Sequence, residues 1–98
     1  MSEQIGTVYL LHFTKPYKHA QHYIGWTHEG QLANRLARHR DGFGSNLVRV
    51  IIRAGIDFVL ARTWEGATRS DEQKLKARGG ACRICPVCKA ERGAFKEP

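Results

Sequence analysis

The chain has 98 residues, enough for one small domain with a modest core. A 42% hydrophobic and 26% charged composition excludes wholesale disorder, and no apolar run approaches the roughly 18 residues of a membrane helix. Lys and Arg total 16 against 9 Asp and Glu, a formal charge of +7 that points to a polyanionic partner, nucleic acid first.

Residues 5–13 read as a strand, with Ile, Val, Tyr, Leu and Phe in a run too continuous for a solvent-facing edge, so a central buried strand is expected. Residues 14–21 are basic and unpatterned and read as a loop, followed by a second strand over 22–27 in antiparallel hairpin register. A helix over 31–40 carries Leu32, Ala33, Leu36 and Ala37 at helical spacing, with Arg35 and His39 sharing the adjoining face. Gly42 and Gly44 follow it. Ser45 is placed to cap a second helix over 46–54, whose Leu47, Val50, Ile51 and Ala54 fit i, i+3, i+4, i+7, with Gly55 as the stop. The third strand spans 56–64, with Phe58, Leu60 and Trp64 expected on one side. Thr68 or Ser70 caps a last helix, with Asp71 or Gln73 at capping-box spacing, running to about Arg78 before Gly79-Gly80. The order β-β-α-α-β-α predicts an α/β fold in which a small three-stranded sheet, mixed or antiparallel, is flanked by helices. Residues 1–80 form that domain, residues 81–98 a cysteine-containing tail, and the stretch 92–98 is expected to fray.

Tyr9, Tyr23, Arg35, His39 and Glu72 are the candidate functional residues. Each has a plain structural alternative: a strand Tyr packs in a core, Arg35 is a solvated helix charge, and Glu72 is a helix N-terminal acid paired with Lys76 at i+4. Taken together, the pattern Val8-Tyr9, then Tyr23-Ile24-Gly25-x-Thr27, then Arg35-Leu36-x-x-His39 resembles the GIY-YIG nuclease family over residues 6–76. The first triplet here is Thr-Val-Tyr, no Asn follows Asn46, and Trp26 stands where some relatives have a lysine. The resemblance implies metal-dependent hydrolysis of a DNA strand, structure-selective and serving repair or recombination. It assigns Tyr9, Tyr23 and Arg35 to the scissile phosphate and Glu72 to a Mg²⁺ or Mn²⁺ ion, with His39 as a second proton acceptor or phosphate contact. That chemistry asks for a proton acceptor for water, a donor fork for the non-bridging oxygens and a hard oxygen ligand for the ion. It also asks that the Tyr pKa be lowered by cations. DNA is the expected partner, with a second protein as a source of specificity. A DNA-binding module that cuts nothing is the alternative.

Cys82, Cys85 and Cys88 all lie in the last fifth of the chain. An odd number of cysteines and no signal-like N-terminus argue against a disulfide framework and for a cytoplasmic setting. The Cys85-Pro-Val-Cys88 knuckle supplies half of a Zn²⁺ site, with Cys82 as a third ligand and the fourth from a distant His or a partner chain. His12, His19, His22 and His28 carry no assignment from the sequence, His22 being the most notable because it adjoins Tyr23.

Overall fold

The computed structural model describes residues 4–94 of the chain, and side chains through residue 90. Three strands, β1 (Gly6–Tyr17), β2 (Ala20–His28) and β3 (Phe58–Ala67), form one sheet in the order β2-β1-β3. Both pairings are antiparallel, which resolves the mixed-or-antiparallel alternative. Among the described residues, five helices accompany the sheet: α1 (Leu32–Arg40), α2 (Asn46–Arg53), α3 (Arg69–Arg78), α4 (Ala81–Ile84) and α5 (Pro86–Ala94). Among the described residues, no helix is long and apolar enough to cross a membrane.

β1 is the central strand and is buried on both faces, as its unbroken apolar run requires. Successive side chains point to opposite sides. Tyr9, Leu11 and Phe13 therefore enter one apolar cluster with Phe58, Val48 and Ile51, and Val8 and Leu10 enter another with Ile24, Trp26, Ala67, Cys85 and Cys88. The first face is covered by Leu32 and Leu36 of α1 and by α2. The second is covered by Leu75 of α3 and by the α4–α5 segment, whose Ala81, Cys82, Ile84 and Val87 pack against it. Residues beyond 80 thus belong to the same core as the sheet. α5 continues helically through Ala94, where fraying is expected from the sequence, and residues 95–98 lie outside the described chain.

Three local expectations need correction. β1 and β2 continue through the segment read as a loop and meet in a two-residue turn, Lys18-His19, bracketed by the Tyr17–Ala20 pair, with Lys18 at φ 54°. Backbone pairing carries the hairpin past the point where apolar patterning stops. In β3 an extra residue, Ala61, bulges between the partners of Leu10 and Leu11. The bulge resets the alternation, so Phe58 and Trp64 pack on opposite faces and Leu60 is left exposed, against the shared side expected for all three. In α2 the buried stripe is Leu47, Val48, Ile51 and Ile52, rotated from the expected one; Val50 and Ala54 face outward.

Helix ends follow the sequence signals. The Ser45 hydroxyl accepts from the Val48 amide, and Thr68 and Asp71 form a reciprocal capping box. Trp26 is buried, and its indole Nε1 donates to the Ala67 carbonyl at 3.0 Å, a bond that ties β2 to the far edge of the sheet. Because β1 is covered on both sides, Leu10→Ala and Leu11→Ala should each cost about 2–5 kcal/mol of stability. Urea unfolding checks this: were one of these neighbours silent, β1 would not be buried on both faces.

Candidate active site and a four-ligand metal group

Tyr9 faces the α1 side of the sheet from the middle of β1, and Tyr23 stands beside it on β2. Their ring centroids are 6.2 Å apart. The residue opposite Tyr9 on β2 is Gly25. A Cβ on Gly25 would collide with the Tyr9 ring carbon Cζ and hydroxyl and come within 2.8 Å of Tyr23 Cε2. The phenol of Tyr9 lies over bare backbone, and only glycine leaves that space. The glycine of the Tyr-Ile-Gly triplet is thus a packing requirement of the first tyrosine.

α1 brings His39 onto the same pair of rings. His39 is fully buried, with its ring centroid 5.8 Å from that of Tyr9 and 5.5 Å from that of Tyr23. Its Nε2 is 2.8 Å from the Tyr9 hydroxyl, a hydrogen bond whose donor is set by the imidazole tautomer. Among the described residues, the other nitrogen, Nδ1, makes no hydrogen bond of good geometry; the Phe43 backbone is the group that acts on it. Gly44, at φ +97°, passes close to it: a Cβ there would sit 3.3 Å from Nδ1 and 3.8 Å from an Arg35 guanidinium nitrogen. Gly44, read from the sequence only as part of a helix stop, also lets the α1–α2 connection close over His39.

The charges of this site act on one another. Burial first, then the Arg35 cation, pushes the His39 imidazole below its ordinary value, with the Phe43 backbone acting weakly the other way. The Tyr9 phenol moves up, well above its usual range. Burial is the main cause, followed by Tyr23; Arg35 pulls the other way, while Glu72 reinforces the rise. A buried phenol is costly to ionise, and the Arg35 guanidinium alone does not offset that cost. Tyr9 is therefore a neutral phenol and His39 a neutral imidazole near pH 7.

Glu72 lies in the first turn of α3, its side chain only 14% exposed, and its Oε2 is 3.1 Å from Lys76 Nζ. The same ammonium lies 5.6 Å from the centroid of the Tyr23 ring. Lys76, read from the sequence only as the partner of Glu72, links that carboxylate to the tyrosine pair. All five candidate residues converge from β1, β2, α1 and α3 on one locality. Arg35 also lines an open groove with Thr27, His28, Gln31, Asn34 and Arg38, a strip of donors leading from the site along α1.

The opposite face of the sheet holds a second constellation. His12 and His22 are direct cross-strand partners of the β1–β2 hairpin. Their side chains meet Cys85 and Cys88, and one ligand atom from each of the four lies within 4.8 Å of all the others, so the group could hold a metal ion. Cys82 is outside this set: it packs partly buried against the apolar cluster. Burial, then the neighbouring thiols of Cys82 and Cys85, pushes the Cys88 thiol up to about 12, the opposite of what a reactive redox cysteine needs. The two histidines supply the donor atoms that the knuckle lacked for a group able to hold a metal ion. Their signal in the sequence was only a pair of His on facing strands; its meaning depended on the chain returning over that face 73 residues later.

No protein-family model, curated protein or solved structure matches this chain.

His39 gives a signed pH test. Its folded-state pKa is depressed, so the unfolded chain binds a proton there before the folded chain does. Its contribution to stability is complete above about pH 6.5 and is lost as pH falls below it. Wild type should lose stability relative to His39→Asn between pH 7.5 and 5.5, with a differential slope of at most about 1.4 kcal/mol per pH unit. Parallel urea titrations read the difference; identical slopes would mean that His39 protonates as freely in the fold as outside it.

Proposed function

We propose that the chain is a divalent-metal-dependent endonuclease that hydrolyses phosphodiester bonds in DNA. The observation that supports this most is the buried Tyr9–His39 hydrogen bond at 2.8 Å, with Tyr23 against both rings and the charges of Arg35 and Glu72 acting on Tyr9. A phenol, an imidazole, a guanidinium and a carboxylate suit this hydrolysis, and a merely structural core has no use for two opposed charges beside a buried Tyr9 and its half-buried neighbour Tyr23.

In this reading Tyr9 and His39 act as a relay. The neutral imidazole accepts the Tyr9 proton at Nε2 while the Tyr9 oxygen takes the proton of the attacking water, so no free phenolate has to exist beforehand. Tyr23 fixes the position of both rings. Arg35 directs its fork of donors at the non-bridging phosphate oxygens, where charge accumulates in the transition state. Glu72 would hold Mg²⁺ or Mn²⁺, and the fit is that of a partly buried hard oxygen ligand whose partner, Lys76, is a half-exposed cation that a metal ion would displace. When bound, the ion supplies charge neutralisation and Lewis acidity. The remaining basic surface, with Arg38 beside Arg35 in the groove, follows the DNA backbone. For the His/Cys group on the far face, the ion we assign is Zn²⁺.

A second reading, a DNA-binding module without activity, draws on the Glu72–Lys76 ion pair, which would satisfy the carboxylate without any metal. Nicking of a branched DNA and a plain duplex with Mg²⁺ or Mn²⁺ separates the two. Wild type should cut, and Glu72→Ala should bind with the same salt dependence but not cut. Binding without cutting by wild type, in both metals and on both substrates, would leave only the module.

The relay makes its own prediction. Tyr9→Phe and His39→Asn should each slow nicking by about 10²–10⁴-fold, and the double variant should be little slower than either single one, because the two groups act as a unit. Multiplicative losses in single-turnover rates would show that they act independently.

A further inference from the structure

We infer that His12, His22, Cys85 and Cys88 form a closed, structural Zn²⁺ site that clasps the α4–α5 segment onto the β1–β2 hairpin. The interatomic spacing carries the argument. A tetrahedral ion with Zn–N near about 2.0 Å and Zn–S near about 2.3 Å has N–N edges of about 3.3 Å and N–S edges of about 3.5 Å. Here His12 Nδ1 and His22 Nε2 are 3.2 Å apart. Cys85 Sγ is 3.5 Å from His12 Nδ1, and Cys88 Sγ is 3.6 Å from His12 Nδ1 and 3.2 Å from His22 Nε2. Four of the six donor–donor distances match the edges of one tetrahedron, and the remaining two lie within 4.8 Å.

The donor set and its burial define the ion and its role. Two imidazoles with two thiols favour Zn²⁺ over the hard cations, which prefer oxygen. His12, Cys85 and Cys88 are buried at 2%, 0% and 5% exposure. With four protein ligands, three of them buried and His22 partly buried, no coordination position is left for a substrate, so the site is structural.

Its location says what it holds together. Cys85 caps the end of α4 and Cys88 lies in the first turn of α5. Both are reached from α3 only through Gly79 and Gly80, each at φ 65°. The ligand His22 directly precedes Tyr23. An ion here fixes one tyrosine of the opposite face through β2, and it anchors the chain that leaves the C-terminal end of the helix carrying Glu72. The inference does not rest on the nuclease reading, since a protein that holds zinc and never cuts DNA satisfies it.

The test is metal analysis of the full chain, purified under reductant. The expected result is about one zinc per chain in wild type and in Cys82→Ser, and less than about one tenth of that in the Cys85→Ser/Cys88→Ser double variant. Should the double variant fail to fold, Co²⁺ substitution in the unaltered chain decides: tetrahedral coordination with thiolate gives intense visible absorption, whereas oxygen coordination gives weak bands. Amide exchange in α4–α5 should rise by at least about tenfold after chelation of wild type. Zinc retained at the wild-type level by the double variant, zinc lost from Cys82→Ser, or a weak Co²⁺ spectrum would each overturn the assignment.

Discussion

β1 is paired on both edges and buried on both faces, and the remainder of the molecule follows from that constraint. A strand so placed sorts its side chains by parity. Tyr9 goes to the face covered by α1 and α2, and His12 goes to the face covered by α3, α4 and α5. Two chemically distinct groups are thereby built three residues apart on one rigid strand, with the sheet as the wall between them. β2 repeats the sorting: Tyr23 joins Tyr9, and its neighbour His22 joins His12.

Close approach of backbone is the second organising feature, and it centres on the tyrosine pair. Gly25 leaves the space that the Tyr9 ring occupies, and Gly44 leaves the space above His39. Both glycines serve to bury polar aromatic groups without filling the site with aliphatic side chains. The consequence is electrostatic. Burial holds Tyr9 and His39 in their neutral forms at rest, so a proton passed through Tyr9 to His39 leaves an imidazolium that the buried site disfavours and that must be discharged before the next cycle. Arg35 and Glu72 remain at the margin, only partly buried, where charged groups keep some hydration.

The two constellations are coupled through the backbone. α3 carries Glu72 near its start and leads through two glycines into the segment that bears Cys85 and Cys88. An ion on the far face would limit how α3 leaves the sheet, and through His22 it would limit Tyr23. The small apolar core of a chain this size makes such a clasp physically useful, because few contacts otherwise secure the last helices.

The sequence by itself determined the element order through α3, the central position of β1, and the caps at Ser45 and Thr68, while it singled out the residues around Tyr9 only through a family resemblance. The order, the strand and the caps are local matters: an unbroken apolar run, a side chain reaching its own helix start, and residues one helical turn apart. Only the tertiary structure decided the Ala61 bulge that reverses the alternation of β3, the rotated stripe of α2, and the extension of the hairpin to Lys18-His19. In each case pairing with a neighbour outweighed the local pattern. The metal group shows the difference most clearly. The sequence offered three cysteines and called for a distant histidine. Which histidines, and which cysteine stands aside, depended on the register that sets His12 opposite His22 and on a long-range return of the chain that no local spacing encodes.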